Sequence, residues 1–286
     1  PNDIPNMRWD LALHTMVSFL TNTNQQHYSG QAQLSYLAHM TGIVTLQVIT
    51  PMMGLALVVA TLRGFFGGRN AQERKADGQE QAPVDVGNYW ADVIRPTLRF
   101  MLPLCLLWSV LLTSQGVPAT LEGGPVVAPV DTTVEMKEQK IPLGPVSPMV
   151  AIKQLGTNGG GWYGPNSSVP LENPTPLSNL LETLALILVP VAVVFMIGGL
   201  TGRRKFAGLV FGTMLTMSVV SAGFAIWSEG FSSTSQDIAL MEGKEVRFGA
   251  EPSALWAALT TQTSNGSVNA MHDSLAPLTG LVTISD

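Results

Sequence analysis

Three polar, glycine-rich motifs could coordinate a cation without using a charged side chain. They read TNTN at 21–24, GTNGGG at 156–161 and SNG at 264–266, and each ends an apolar stretch. No acidic residue lies between 11 and 62, and none lies within three residues of the other two motifs. Backbone oxygens suit a large, weakly hydrated monovalent cation such as K⁺, whereas Mg²⁺ and Ca²⁺ prefer carboxylates. The motifs therefore predict K⁺ binding by backbone carbonyls.

The apolar stretches before these motifs, 8–20, 147–155 and 252–263, are too short to cross a bilayer. A helix of about 13 residues reaches only about 20 Å. Its last carbonyls have no partner in hydrocarbon, so the following backbone must lie inside protein, around water or an ion. The negative end of each helix dipole would favour a cation there. We therefore expect three pore loops that meet at one site.

The composition indicates a membrane protein. Only 12% of the 286 residues are charged and 46% are apolar, whereas soluble chains carry about 25% charged residues. This apolar content excludes disorder, and Cys105 as the single cysteine excludes a disulfide scaffold. The net charge of -5, without a basic patch, argues against nucleic acid as a partner.

Four uncharged runs have the length of about 20 residues that a membrane-spanning helix needs. They are 34–62, with a kink expected at Pro51, and 100–121, 183–202 and 206–228. Nine of the fifteen Lys and Arg residues fall on one side of these spans, which the positive-inside rule makes cytoplasmic. Residues 1–33, 122–182 and 229–286, with all three motifs, are then outside.

At these motifs the chain closely resembles the KdpA family, the potassium-binding subunits of a potassium-importing ATPase. The strings that carry the resemblance are WDLALHTMVSFLTNTNQQHYSG, AIKQLGTNGGGWYGPNSSVPLENPT, MEGKEVRFG and TTQTSNGSVNAMHDS. The resemblance implies an all-α membrane fold of four helix–pore loop–helix repeats, as in the K⁺ channel and Trk/Ktr superfamily. In that fold this chain is expected to be truncated at both ends, with three of the four filter loops.

The resemblance also implies a domain organisation. Residues 1–66 hold the pore loop and second helix of repeat 1, and 67–89 form a cytoplasmic linker. Residues 90–202 form repeat 2, and 203–286 hold the first helix and pore loop of an incomplete repeat 3.

Family filter positions match three triplets of this sequence, so the implied K⁺ ligands are the backbone oxygens of Asn22, Thr23, Asn24, Thr157, Asn158, Gly159, Ser264, Asn265 and Gly266. Gln26 matches a position implicated in K⁺ affinity, and Gly160 lies beside the filter. The implied function is K⁺ binding and translocation in an ATP-driven import complex, without catalytic residues in this chain.

The implied partners are a P-type ATPase subunit that uses the ATP, a small accessory subunit and a single-span peptide, all in a bacterial inner membrane. Two other classes stay open: a passive channel or symporter of the same superfamily, and a membrane scaffold whose Asn and Gly turns only satisfy helix ends. The four histidines show no metal-ligand spacing, so each is expected to be a hydrogen-bonded helix or loop residue.

Overall fold

The protein is described by a computed structural model that covers residues 4–23, 25–76, 85–131, 135–231 and 238–286. Over this range the chain is mostly helical, which confirms the all-α prediction. In chain order the α-helices are α1 (Trp9–Leu20), α2 (Gly30–Gln33), α3 (Tyr36–Ala38), α4 (Thr45–Ala76), α5 (Tyr89–Pro96), α6 (Leu102–Ser114), α7 (Val146–Leu155), α8 (Pro176–Thr201), α9 (Arg204–Phe231), α10 (Ala250–Gln262) and α11 (Pro277–Ser285).

Short irregular elements connect these helices, and those that lie in the described residues are the following. Two π-helical segments, His39–Val44 and Thr97–Met101, join α3 to α4 and α5 to α6. Three 3₁₀ turns lie at Asn166–Ser168, Ile238–Met241 and His272–Ser274. One small antiparallel ribbon pairs β1 (Val126–Val127) with β2 (Gln139–Lys140), in the loop between α6 and α7.

Among the residues that the structure describes, four helical segments are long and apolar enough to cross a membrane: Tyr36–Gly67, Tyr89–Ser114, Pro176–Thr201 and Arg204–Gly230. The four predicted spans are thereby confirmed, and Pro51 lies inside the first. All four take in charged residues beyond the predicted uncharged runs, and the second and third begin well before those runs, at Tyr89 rather than 100 and at Pro176 rather than 183. Some of these charges have partners within the protein. Asp92 pairs with Arg63 near the start of the second span, and Glu182 is buried within the third.

Side-chain caps explain where two of these spans begin. Asn88 accepts a hydrogen bond from the Ala91 amide at 3.0 Å and caps the start of α5. Thr175 and Ser178 form a reciprocal capping box at the start of α8, which satisfies amides that the first turn leaves without partners. The second span also ends at Ser114, before the predicted 121.

The core lies around the short helix α7. Its side chains from Val146 to Leu155 are almost all buried, and they pack with Phe19, Tyr28 and Trp162. A smaller, alanine-rich cluster joins α9, α10 and α11. The membrane-spanning helices, in contrast, turn many large apolar side chains outward, which suits helices that face lipid.

His39 differs from the expectation for histidines in this sequence. Its ring is fully buried and stacks on Trp162 with 4.1 Å between centroids. Within the described part of the chain, neither ring nitrogen has a hydrogen-bond partner. The prediction of a hydrogen-bonded side chain is therefore wrong for His39, because aromatic packing at the π-helical segment determines its position.

Candidate functional site

The three short helices predicted from the sequence are α1, α7 and α10, and all three end in the same way. Two residues beyond each helix, the backbone enters the left-handed region, at Asn22 (φ 55°), Thr157 (φ 49°) and Ser264 (φ 53°). Left-handed backbone is uncommon for residues other than glycine. Its occurrence at the same position of three segments marks a structural repeat.

The residue after each left-handed position closes the helix with the same hydrogen bond. Its amide donates to the carbonyl five residues earlier: Thr23 to Ser18 at 2.9 Å, Asn158 to Lys153 at 3.2 Å, and Asn265 to Thr260 at 2.9 Å. This is the Schellman arrangement, which satisfies some of the last helix carbonyls and turns the chain sharply. The sequence motifs therefore follow helix ends, as predicted.

The structure brings these helix ends together. We call residues 22–24 loop 1, 157–159 loop 2 and 264–266 loop 3. The Asn22 amide group lies 3.5 Å from the Thr157 carbonyl, joining loops 1 and 2. The side-chain Nδ2 of Asn265 donates to the carbonyls of Lys153 and Gln154 at 3.2 and 3.4 Å, which joins loop 3 to the end of α7. Asn24 lies outside the described residues.

Gly159 is at the closest approach of loops 2 and 3. Its φ is +61°, and a β-carbon there would overlap the Asn265 carbonyl and lie 2.6 Å from the Ser267 amide nitrogen. Only glycine fits such a position without displacing the neighbouring backbone. Gly266 of loop 3 also has positive φ, at 80°, so the third position of both loops has the same kind of conformation.

Side chains hold the glycine-rich backbone of the second motif in place. Its carbonyls accept hydrogen bonds as follows: Gly159 from Asn166 Nδ2 at 2.6 Å, Gly160 from Gln47 Nε2 at 2.8 Å, and Gly161 from the Tyr28 hydroxyl at 2.9 Å. Each of these carbonyls has a second lone pair. Burial, and then the charge of Glu172, raises the pKa of Tyr28, so its hydroxyl keeps the proton that it donates.

Gln26 braces the same backbone from the side of loop 1. Its Oε1 accepts from the Gly161 amide at 2.7 Å and from Asn166 Nδ2 at 3.2 Å. Its Nε2 donates to the carbonyls of Tyr163 at 3.1 Å and Tyr28 at 3.2 Å. The side chain therefore uses both its donor and its acceptor atoms to join the segments that follow loops 1 and 2.

A buried ionic cluster stands behind loop 2, and the sequence analysis did not find it. Lys153 Nζ lies 2.5 Å from Glu172 Oε2 and 3.6 Å from Glu182 Oε2, and all three side chains are fully buried. The sequence signal was a lysine inside the apolar stretch 147–155. Carboxylates are absent from the motifs themselves, as noted above, but these two lie close behind one of them.

The segment that leads into α10 is attached to the same region by Arg247. Its guanidinium donates to the carbonyls of Asn173 at 3.0 Å and Ser168 at 2.6 Å, both in the segment that follows loop 2. A second buried ion pair, Lys244 with Glu229 at 3.3 Å, joins this segment to α9. These contacts hold the segment before α10 against the segment that follows loop 2.

The arrangement can act chemically as a cation site. Helices α1, α7 and α10 end at adjoining loops, and each helix end carries about half a negative charge from its aligned peptide dipoles. Gly159 allows close approach of loops 2 and 3. The neighbouring carboxylates are already engaged with Lys153. Among the described residues, no group of three or more His, Cys, Asp or Glu side chains could hold a metal.

The chain matches known proteins along its whole length. Residues 1–286 match the family KdpA, described as the potassium-transporting ATPase A subunit. Proteins named potassium-transporting ATPase potassium-binding subunit are 44% identical over 288 residues in Pseudomonas putida and 42% identical over 290 residues in Nitratidesulfovibrio vulgaris. Both alignments cover 99% of this chain and 48% of the relative, so the chain spans about half the length of these relatives. The chain belongs to the KdpA family.

Proposed function

We propose that this chain is part of a potassium-binding and translocating membrane subunit of an ATP-driven K⁺ import complex. Loops 1, 2 and 3 supply three sides of a filter whose backbone carbonyls replace the water around K⁺. The observation that carries the proposal is the convergence of three equivalent helix ends. Asn22, Thr157 and Ser264 have the same left-handed backbone, and their loops are in contact.

The proposed ligands are the backbone oxygens of loops 1, 2 and 3, with Gln26 and Gly160 beside them. Carbonyl dipoles in a filter select K⁺ because they match its weak hydration. In loop 2 the Gly159 carbonyl accepts one hydrogen bond, from Asn166, which leaves it a second lone pair for an ion. Both polar atoms of the Gln26 side chain bond to backbone, which supports a bracing role for it.

The complete protein would work with partners that use the ATP. The relatives are named as the potassium-binding subunit of an ATPase, which supports a separate P-type subunit as the site of hydrolysis. A small accessory subunit and a single-span peptide complete the proposed complex. The proposed location is the bacterial inner membrane, with the loops on the outer side, as the distribution of Lys and Arg predicts.

The test is K⁺ uptake by vesicles that contain the complete, purified complex. We expect uptake to require ATP on the side of the membrane where the ATPase subunit can bind it. We also expect uptake to be faster for K⁺ than for Na⁺. Uptake that is equal with and without ATP would instead identify a passive channel or symporter. If a correctly assembled complex neither bound nor took up K⁺, the proposal would be contradicted, and a membrane scaffold would be the remaining function.

A further inference from the structure

In the buried cluster behind loop 2, the positive and negative side chains play opposite parts in hydrogen bonding. Lysine ammonium groups only donate hydrogen bonds, and carboxylates only accept them. Lys153 Nζ donates to Asn166 Oδ1 at 2.8 Å, to Glu172 Oε2 at 2.5 Å and to the Ser167 hydroxyl. Its three protons are therefore all engaged, and its position is strongly determined.

Lys153 determines how the Asn166 amide is oriented. Because the ammonium accepts no hydrogen bond, the Asn166 oxygen must face Lys153. The Asn166 nitrogen then faces the other way, and it donates to the Gly159 carbonyl at 2.6 Å. Asn166 itself has a left-handed φ of 60°, which asparagine tolerates better than most residues. The charge of Lys153 thus reaches the backbone of loop 2 through one amide.

Glu182 determines the orientation of a second side-chain amide, that of Gln154, but it does so as a hydrogen-bond acceptor rather than as a donor. Its Oε2 accepts from Gln154 Nε2 at 2.7 Å, so the Gln154 nitrogen must face the carboxylate. The Gln154 oxygen then faces loop 3, where it accepts from the Ser267 hydroxyl at 2.9 Å. Ser267 directly follows Gly266, so this arm reaches the third loop.

Glu172 completes the cluster. Its second oxygen accepts from the Tyr163 amide at 2.8 Å, which holds the chain just after the glycines. With one lysine and two glutamates, removal of Lys153 would leave two buried carboxylates without a cation, and such a loss destabilises strongly. Replacement of Glu182 by glutamine leaves a one-to-one pair of Lys153 with Glu172, so it is the gentler change.

We propose that Lys153 and Glu182 are positioning residues for ion selection. By fixing the orientations of the Asn166 and Gln154 amides, they hold loop 2 and loop 3 at the separation that K⁺ requires. The inference rests on the proposed K⁺ filter, and it adds residues that contact no ion. The two arms are the hydrogen-bond chains from Lys153 through Asn166 to loop 2 and from Glu182 through Gln154 to loop 3. We expect that breaking either arm changes ion affinity and ion preference, rather than only the amount of folded protein.

The experiment measures K⁺, Rb⁺ and Na⁺ uptake by the complete complex, with KM expressed per assembled complex. Glu182→Gln lets the Gln154 amide reverse, and Asn166→Gly removes the other amide while suiting its left-handed backbone. Losing one such buried hydrogen bond corresponds to about a tenfold rise in the KM for K⁺, with weaker discrimination against Na⁺. Glu138→Gln and Asn88→Gly are the matched controls, since both native side chains are exposed.

Unchanged KM and ion preference in Glu182→Gln and Asn166→Gly would overturn the proposal, even if less complex assembles. If Glu182→Gln fails to assemble, Ser267→Ala breaks the same hydrogen-bond chain while the charged cluster stays intact. A normal KM in that variant would equally overturn the proposal. A wild-type complex without K⁺ uptake would contradict the proposed function. A wild type that transports K⁺ while the variants match it contradicts only this inference.

Discussion

Loops 1 and 2 have the same backbone at their helix ends but very different surroundings. The side chains of α7, which leads into loop 2, are nearly all buried. Along α1, which leads into loop 1, Trp9, Leu13 and Met16 are 79%, 57% and 59% exposed. Helix α7 has neighbours on both sides, in α6 and α8. Within this chain, the same local turn therefore follows one helix that is buried and one that is largely exposed.

The two loops also differ in how their backbone is held. Behind loop 2, the glycine carbonyls accept from Asn166, Gln47 and Tyr28. At loop 1, Ser18 bonds locally with the backbone of Gln25, and the contact to loop 2 is the long one from Asn22. We infer that substitutions around loop 2 disturb ion selection more than those in loop 1.

The largest effect is expected for Gly159→Asp. The β-carbon would overlap loop 3, and the side chain would add a carboxylate among carbonyls. Strain at a left-handed position costs on the order of 1–3 kcal/mol, so we expect at least about a tenfold rise in the KM for K⁺ or complete loss of uptake.

Gly159→Ala separates shape from charge in this prediction, because it adds the β-carbon alone. Gly212→Ala is the control, since a β-carbon there would meet nothing within 4 Å. The measurement is K⁺ uptake by the assembled complex. Normal K⁺ affinity and preference in Gly159→Asp would remove loop 2 from the filter.

Asn265→Ala is expected to have the next largest effect. The substitution keeps the backbone carbonyl but removes the side chain that joins loop 3 to the end of α7, and it leaves the Ser267 amide without its 2.9 Å partner. Loss of buried hydrogen bonds of this kind predicts about a tenfold rise in the KM for K⁺.

The control for Asn265→Ala is Asn88→Ala, which removes an exposed cap at the start of α5. Competition by Rb⁺ and Na⁺ in the uptake assay shows whether the filter has changed shape. An Asn265→Ala complex with wild-type KM and wild-type competition would mean that loop 3 keeps its position without this contact.

Gln26→Arg should have an intermediate effect. Arginine cannot accept the hydrogen bonds that Gln26 Oε1 takes from Gly161 and Asn166, and it adds a positive charge beside the proposed ion path. We expect the KM for K⁺ to rise by roughly three- to tenfold, as one charged or unpaired group costs about 1 kcal/mol or more. Gln139→Arg, on the exposed β2, is the matched control. An unaltered KM would exclude Gln26 from the site.

Asn22→Gly is expected to have the smallest effect. Glycine adopts the left-handed backbone of Asn22 at lower cost, and the side-chain contact that is lost is only 3.5 Å long. We expect the KM for K⁺ to stay within about twofold of the wild type, since a hydrogen bond of this length is weak. A much larger change would show that loop 1 is held as firmly as loop 2.

Much of the fold follows from local features of the sequence. Uncharged length alone predicts the four spans, although it places the beginning of α8 too late because Glu182 is buried inside that helix. The short apolar stretches before the motifs correspond to α1, α7 and α10. The role of Asn166 was not predicted, because its sequence neighbours give no sign that its amide reaches Gly159.

The amino-acid sequence by itself determined where helices form and stop, because hydrophobic length, caps and small polar residues act over a few neighbouring positions. Only the tertiary structure decided which groups meet at the loops. Asn265 contacts the end of α7 from more than a hundred residues away, and Lys153 finds its two carboxylates on separate segments. A buried charge is stable only beside a partner, and the path of the whole chain determines where that partner lies.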